Sequence, residues 1–125
     1  MSKERADEEA IKVFTENLRQ LLLSAPLGQK RVLALDPGFA NGCKIACLDA
    51  QGNLSHHEII YPHPPKRLYA QATVAVLRMI RQYNIEAIAI GNGTASRESK
   101  EFITDCLSHL AEEGKETPKV FVVSE

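Results

Sequence analysis

The chain has little that would suit it to a membrane, to secretion or to the stacking of nucleic-acid bases. It contains no tryptophan, and phenylalanine and tyrosine together make up 6% of its residues. No apolar run approaches the roughly 20 residues that a membrane-spanning helix needs. The first five residues, MSKER, lack the apolar core of a secretory signal. We therefore expect an intracellular protein that does not enter a membrane, without a platform of interleaved aromatic side chains.

Cysteine is also scarce, with single residues at positions 43, 47 and 106. The odd count, without a second ligand pair at zinc spacing, argues against a disulfide framework and against a zinc site. A strand would place Cys43 and Cys47 on one face, so we predict two small buried residues in a reducing compartment. The histidines lack cysteine or carboxylate neighbours at ligand spacing, which favours surface or structural roles.

What is present is typical of one globular domain, with 125 residues of which 44% are hydrophobic and 25% charged. The net charge of -1 excludes a polycation built for nucleic acid. The charges are unevenly placed, because residues 98–116 are mainly acidic while residues 59–85 carry only positive charges: Lys66, Arg67, Arg78 and Arg81. We predict a basic helix followed by an acidic one. The basic helix could contact phosphates weakly, although such a stretch is more often a solvated face.

Residues 1–30 are predicted to form a helical arm ahead of a domain that spans residues 31–125. Pro26 and Gly28 would end the helix of this arm. Its apolar residues recur at steps of three and four, which is typical of an amphipathic helix over residues 3–25: Ile11, Phe14, Leu18, Leu21 and Leu22.

The following segments predict three strands over residues 31–36, 43–49 and 54–61. Residues 37–42 and the triplet Gln51-Gly52-Asn53 form the turns between them. Strands joined by such short turns favour an antiparallel meander.

The second half predicts two helices that alternate with two buried strands, over residues 85–90 and 119–123. Pro65 suits the first turn of the first helix, which extends to about residue 83, and Gly114 closes the second. The order is β-β-β-α-β-α-β, and its parallel crossovers are right-handed. The sequence therefore predicts an α/β fold with one mixed five-stranded sheet and helices on its faces.

Asp36 is the first candidate site residue, because it stands where the first strand ends and a glycine turn begins. The carboxyl ends of strands open onto the crevice in which α/β sheets bind ligands. The turn at Pro37-Gly38 lets the backbone approach a phosphate or a metal. Asp36 could hold Mg²⁺ for two-metal phosphodiester cleavage, or the turn could embrace nucleotide phosphates. A third interpretation is an acid that caps the turn through its own backbone.

The second candidate is the loop over residues 91–98, which links a buried strand to the start of a helix. Free backbone N–H groups there favour an anion, Thr94 or Ser96 could cap the helix, and Arg97 could pair with phosphate. The alternative to an anion site is a capped helix whose arginine is solvated and binds no ligand. The loop lacks the third glycine of a dinucleotide fingerprint and the Gly-Lys-Ser/Thr of a P-loop.

Four blocks of the chain resemble the YqgF domain of the Tex family of transcription accessory proteins. They are residues 36–44 (DPGFANGCK), 61–65 (YPHPP), 88–98 (IAIGNGTASRE) and 123–125 (VSE), in the family's order. Residues 14–23 of the arm are also similar. The cysteines and the diverged stretches between blocks fit an animal S1 RNA-binding-domain protein of this family better than a bacterial member.

The resemblance implies an RNase H-like fold of the RuvC-resolvase type. It also implies that these residues were cut from a larger protein with helical, helix-hairpin-helix and S1 domains. Active nucleases of this fold carry acids on the first strand, at the end of the fourth, and later. Asp36 matches the first and Glu125 a later one, but Asn92 stands at the second and brings no charge to a metal. The family's Arg-Thr is replaced by Ala40-Asn41, so we expect a degenerate site.

The sequence thus predicts a catalytically inactive scaffold or nucleic-acid contact module that needs no cofactor and is monomeric in isolation. The expected partners are nucleic acid, RNA foremost, bound mainly by domains outside these residues, and flanking helical domains of the same chain. The alternatives are a metal-dependent nuclease for structured nucleic acid, with Mg²⁺ at Asp36, and a nucleotide-binding fold of the actin and Hsp70 kind. Nucleus and cytoplasm both stay open. The candidate phosphate contacts are Gly38, Asn92, Gly93, Thr94, Ser96, Arg97, Lys66 and Arg67.

Overall fold

A computed structural model of the chain describes residues 12–13, 16–17, 20, 30–39 and 41–123. Residues 30–123 form strands and helices in the predicted order. The elements are β1 (Val32–Asp36), β2 (Cys43–Leu48), β3 (Leu54–Ile60), α1 (Tyr69–Gln82), β4 (Ala87–Gly91), α2 (Ser96–Glu112) and β5 (Lys119–Val123).

The five strands form one mixed sheet in the order β3-β2-β1-β4-β5. β2 pairs antiparallel with both β1 and β3, as the predicted meander requires. β4 pairs parallel with both β1 and β5. The predicted α/β class and the mixed five-stranded sheet are therefore confirmed.

Both helices pack on the same face of the sheet. Their apolar residues form one buried cluster with the side chains of that face. The large buried side chains of this cluster include Leu33, Leu35, Ile45, Ile88 and Ile90 of the sheet and Phe102 of α2. The other face is lined by smaller residues, namely Val32, Ala34, Ala46, Leu48, Ala87 and Ala89. Since both faces of β1 are buried, its continuous apolar run is the pattern of a central strand.

The predicted arm falls mostly outside the described residues. Those that the structure describes in it, at positions 12, 13, 16, 17 and 20, are helical. Val13 and Asn17 line a cavity together with Leu48 and Leu54 at the β2–β3 hairpin. The predicted apolar stripe from Ile11 to Leu22 and the predicted stop at Pro26 and Gly28 lie outside the described residues.

The first helix begins four residues later than the sequence predicted, at Tyr69 rather than at Pro65. Arg67 has a φ of 50°, which no α-helix accommodates. The backbone N–H groups of Arg67 and Leu68 donate to the carbonyls of His63 and Tyr61, at 3.1 and 2.7 Å. These bonds hold residues 61–68 as a loop, so Lys66 and Arg67 lie on a loop and not on a basic helix.

All three cysteines are free and buried, as predicted for Cys43 and Cys47. Burial raises the pKa of the Cys47 and Cys106 thiols to about 12. Burial also raises the pKa of Cys43. Because the thiolate is the reactive form, burial keeps all three thiols in their unreactive form.

Candidate nucleic-acid interface

Three loops meet at one end of the sheet, which we call the carboxyl edge. The strands β1, β3, β4 and β5 all run in the same direction, so their carboxyl ends lie together. The carboxyl edge consists of Asp36 with the turn over residues 37–39 and 41–42, the β3–α1 loop over residues 61–68, and the β4–α2 loop over residues 92–95. It contains every predicted site residue that the structure describes, together with the first turn of α2.

Asp36 lies level with the end of β4. Leu35 pairs with Ile90 in the parallel register, so the next residues, Asp36 and Gly91, end their strands side by side. On its other flank Asp36 is opposite Lys44 of β2. The N–H of Asn92 donates to the carbonyl of Val123, 2.9 Å away, which brings the end of β5 to the same place. The other candidate acid, Glu125, lies outside the described residues.

The glycines of the turn after Asp36 are required by close packing. A Cβ on Gly38 would lie 2.5 Å from the carbonyl oxygen of Gly42. Gly42 has a φ of +79°, and a Cβ there would lie 2.8 Å from the carbonyl oxygen of Ile60 and from the Tyr61 ring. These contacts account for both glycines without a ligand, and the phosphate contact at Gly38 stays a prediction.

The loop before α2 is shaped by its backbone and not by a side-chain cap. The N-cap residue is Ala95, in the left-handed conformation with a φ of 67° and without a side-chain capping hydrogen bond. The prediction that Thr94 or Ser96 caps the helix is wrong, since α2 begins at Ser96 itself. A bond of 3.2 Å from the Ser96 N–H to the Gly93 carbonyl closes the turn instead. Arg97, in the first turn of α2, is exposed and makes no ion pair with another described residue.

The β3–α1 loop carries two cations, of which Lys66 lies over a ring that packs on the turn after Asp36. The Lys66 ammonium lies 4.0 Å from the centre of the Tyr61 ring, in the range of a cation–π contact. That ring packs directly against Gly42. Arg67 is exposed and has no ion pair among the described residues.

The two other cations of residues 59–85 are neutralised within the fold. Arg78 binds both carboxylate oxygens of Glu58, each at 2.9 Å. Burial raises the pKa of Glu58, but hydrogen bonds from His56 and Arg78 outweigh it and hold the pKa below its usual value. Arg81 binds Glu113, at 2.7 Å, just beyond α2. The predicted contrast between a basic and an acidic helix is therefore reduced by charge pairing.

The residues described at the carboxyl edge do not fit a two-metal centre. Among the described strands that end at the carboxyl edge, only β1 ends in a carboxylate, that of Asp36. The neighbouring strand β4 ends at Gly91 and is followed by the uncharged Asn92. No group of three or more histidine, cysteine or carboxylate side chains in the described part of the chain could hold a metal ion. We therefore derive no chemistry through Mg²⁺ at this site.

His63 is a part of the carboxyl edge that the sequence did not single out for chemistry. Its side chain is 6% exposed, and its Nε2 is hydrogen-bonded to the Ser99 hydroxyl at 3.0 Å. The rings of Phe39 and Phe102 approach it edge-on, at 5.9 and 6.5 Å between centres. This arrangement confirms the structural role that the sequence favoured for histidine. The only sequence signal for it was the rigid proline-rich setting of His63.

We expect the stability of the domain to fall as the pH drops below about 6.5, the usual pKa of histidine. Burial lowers the pKa of His63, and nearby Glu98 opposes this only in part. Below that pH the unfolded chain therefore binds a proton that folded His63 does not, which favours unfolding. Urea unfolding at several pH values should show a shallower slope in His63→Gln than in the wild type. An unchanged slope would contradict the assignment of this pH dependence to His63.

The sheet order, the two helices on one face and the acid at the end of the first strand define an RNase H-like α/β domain. Within that class the chain belongs to a family described as the Tex protein YqgF-like domain, which matches residues 30–125.

Relatives of this family occur in bacteria and in animals. The chain is 48% identical to "Uncharacterized protein YdcI" of Bacillus subtilis, over 86% of this chain and 15% of that protein. It is 43% identical to "Transcriptional accessory protein Tex" of Neisseria gonorrhoeae, over 88% of this chain and 14% of that protein. It is 31% identical to human "S1 RNA-binding domain-containing protein 1", over 82% of this chain and 10% of that protein. The sequence predicted a closer likeness to animal members, but the identity to the human relative, 31%, is lower than the identity to these two bacterial relatives, 48% and 43%.

The chain spans about 15% of the length of the bacterial relatives it matches. A solved structure from Bacteroides thetaiotaomicron, described as having an actin-like ATPase fold and unknown function, superposes with a TM-score of 0.56. It covers 87% of this chain and 37% of the other, at 11% identity. At that identity the likeness concerns the fold alone. Within the described residues, no helix has the length and apolar composition needed to cross a bilayer.

Proposed function

We propose that this chain is the nucleic-acid contact module of a Tex-like protein of transcription or RNA metabolism, and that it is a scaffold without nuclease activity. One observation carries the proposal. The carboxyl edge joins cations that have no ion pair among the described residues, Arg67 and Arg97, to a single strand-end carboxylate, Asp36. Such an edge attracts a phosphate backbone, whereas the charge needed to gather two divalent ions is not supplied by these described residues.

We propose RNA as the main nucleic acid and an intracellular compartment for the whole protein. The names of two relatives, with "transcriptional accessory protein" in one and "S1 RNA-binding domain" in the other, support this choice. The chain covers 10% of the human relative. We infer that tight binding belongs to other domains, and that residues 31–125 form a module joined to them through the arm over residues 1–30. The net charge of -1 supports a weak contact by this chain alone.

We expect single-stranded RNA to shift the NMR signals of the carboxyl edge, and removal of its cations to abolish the shifts. Lys66→Gln, Arg67→Gln and Arg97→Gln combined should lower the salt slope of binding by about 0.7 for each phosphate that is no longer neutralised. Arg67→Gln alone, which removes one positive charge, has Arg81→Gln as its matched control, because Arg81 pairs with Glu113 across the helices and away from the edge. This control should bind like the wild type.

Four outcomes would contradict the proposal. Equal loss of binding in Arg81→Gln would show a response to net charge and not to the carboxyl edge. Binding tighter than micromolar at physiological salt would show that this chain supplies the main affinity. Metal-dependent cleavage of branched nucleic acid that disappears in Asp36→Asn would instead establish the nuclease, and shifts with ATP and Mg²⁺ would favour the nucleotide-binding alternative.

A further inference from the structure

A chain of buried polar groups runs beneath the carboxyl edge, from His63 through Ser99 and Cys43 to the backbone of Gly38. The Ser99 hydroxyl is 3.0 Å from His63 Nε2 and 3.7 Å from Cys43 Sγ. The Cys43 thiol in turn donates to the Gly38 carbonyl oxygen at 3.5 Å. Ser99 and Cys43 are both 0% exposed. Water therefore does not compete for these bonds.

Counting donors and acceptors shows which group donates in each of these hydrogen bonds. The Gly38 carbonyl can only accept, so the single hydrogen of the Cys43 thiol is used there. Cys43 Sγ can then only accept from Ser99, whose hydroxyl hydrogen is used in that bond. The Ser99 oxygen is left to accept from the Nε2–H of His63. One tautomer of His63 thus satisfies every link, which a buried polar group needs if it is not to destabilise the fold.

This series of hydrogen bonds connects segments of the carboxyl edge to one another. His63 belongs to the β3–α1 loop, Ser99 to the first turn of α2, and Gly38 to the turn that follows Asp36. The ring of Phe39, next to Gly38, also lies against His63. Of the two side-chain hydrogen bonds that Ser99 makes, one reaches the β3–α1 loop at His63 and the other reaches the first residue of β2, Cys43. One buried hydroxyl therefore links the β3–α1 loop, through Cys43, to the turn after Asp36.

We propose that Ser99 is a positioning residue whose hydroxyl fixes the turn after Asp36 and couples the state of His63 to that turn. The proposal depends on the buried hydrogen bonds alone, so it stands or fails independently of nucleic-acid binding. Ser99 is 0% exposed and makes no contact with solvent. Its effect reaches the surface through Cys43 and the Gly38 carbonyl.

The surroundings of His63 make its protonation a local event that the turn can report. Burial lowers the pKa of His63, and Glu98 of α2 is the acid that opposes this. Asp36 of β1 and Lys44 of β2 act on Cys43 at the other end of the chain, with opposite signs. Lys66 and Arg67 lie on the loop of His63 itself. Protonation keeps the Nε2–H donor and strengthens it, so the signal passes along bonds that stay formed.

NMR of the 125-residue chain across pH 5–8, a range chosen around the usual histidine pKa of about 6.5, tests the coupling. In the wild type we expect the Gly38 carbonyl carbon to titrate with the midpoint of the His63 ring. In Ser99→Ala the ring should still titrate while the Gly38 response falls to a small fraction. A response of wild-type size in Ser99→Ala would overturn the proposal, because it would show a direct through-space effect of the charge.

Cysteine variants give a second, matched test. Cys43→Ala breaks the last link and should also abolish the response at Gly38, so the result does not depend on the folding of Ser99→Ala. Cys47→Ala is the control, because Cys47 is equally buried on the same strand and outside the chain. In double-mutant cycles, Ser99→Ala with Cys43→Ala should be non-additive by a factor of about three or more in the unfolding equilibrium constant. Ser99→Ala with Cys47→Ala should be additive, and additivity in both cycles would overturn the proposal.

Discussion

Replacement of Gly42 by alanine is expected to destabilise the domain by about 3 kcal/mol or more, whereas Gly114→Ala is expected to cost about 1 kcal/mol. Both glycines have a left-handed backbone, with φ of 79° and 75°. Both substitutions therefore carry the same conformational penalty for a Cβ. The expected difference between them comes from the space around each residue.

The space at Gly42 is closed by groups that cannot move aside. A Cβ would lie 2.8 Å from the Ile60 carbonyl oxygen, the Ile59 side chain and the Tyr61 ring. Ile60 pairs with Cys43 in the β2–β3 ladder, so a shift of its carbonyl would disturb the strand pairing. At Gly114 nothing lies within 4 Å of the added carbon.

Urea unfolding of both variants beside the wild type measures the two penalties under one set of conditions. The Gly42 variant should also move the NMR signals of the Tyr61 ring and the Lys66 side chain, which lie above the turn. Equal losses in the two variants would mean that backbone strain alone decides the need for glycine. The packing of Tyr61 against the turn would then have no energetic role.

The sequence was sufficient for the elements and for the place where the candidate residues meet. Strands such as β1 and β4 are short apolar runs with clear ends, and two short turns leave a meander as the simplest connection. Right-handed crossovers then bring the carboxyl ends of parallel strands to one edge. The convergence of Asp36 and Asn92 follows from that topology, with no knowledge of side-chain contacts.

The features that the sequence did not predict depend on contacts between distant residues. The start of α1 is set by backbone bonds to Tyr61 and His63, so the favourable position of Pro65 did not decide it. Ser99 lies 36 residues from His63 and 56 from Cys43. A local pattern carries no trace of such a chain. The pairing of Arg81 with Glu113 spans 32 residues and was hidden in the same way.

These long-range contacts change the interpretation of the net charge. Opposite charges that were predicted on separate helices are partly paired with each other, and each such exposed pair contributes little to stability. Of the four cations in residues 59–85, Lys66 and Arg67 have no ion pair among the described residues, and both lie on the β3–α1 loop of the carboxyl edge. The small net charge therefore says little about the carboxyl edge itself, where Lys66, Arg67 and Arg97 lie with the acids Asp36 and Glu98.

Phe102 connects this edge to the main core. It is 0% exposed and the largest side chain among the fully buried residues. The Tyr69 ring meets it edge-on at 5.2 Å and the His63 ring at 6.5 Å. Tyr69 in turn donates its hydroxyl to the Asp105 carboxylate. One side chain of α2 therefore supports α1, the β3–α1 loop and the buried histidine.

We expect Phe102→Ala to cost about 3–5 kcal/mol, a large share of the 5–15 kcal/mol, roughly, that stabilises a typical domain. Chemical unfolding measures the loss, with Val74→Ala as the control, because Val74 is 66% exposed on α1 and should change stability by less than about 0.5 kcal/mol. The cavity should also admit water to His63, so its pKa should rise toward that of a free histidine. If stability falls by about 3–5 kcal/mol while the pKa of His63 in the folded state is unchanged, the core and the carboxyl edge are energetically separate.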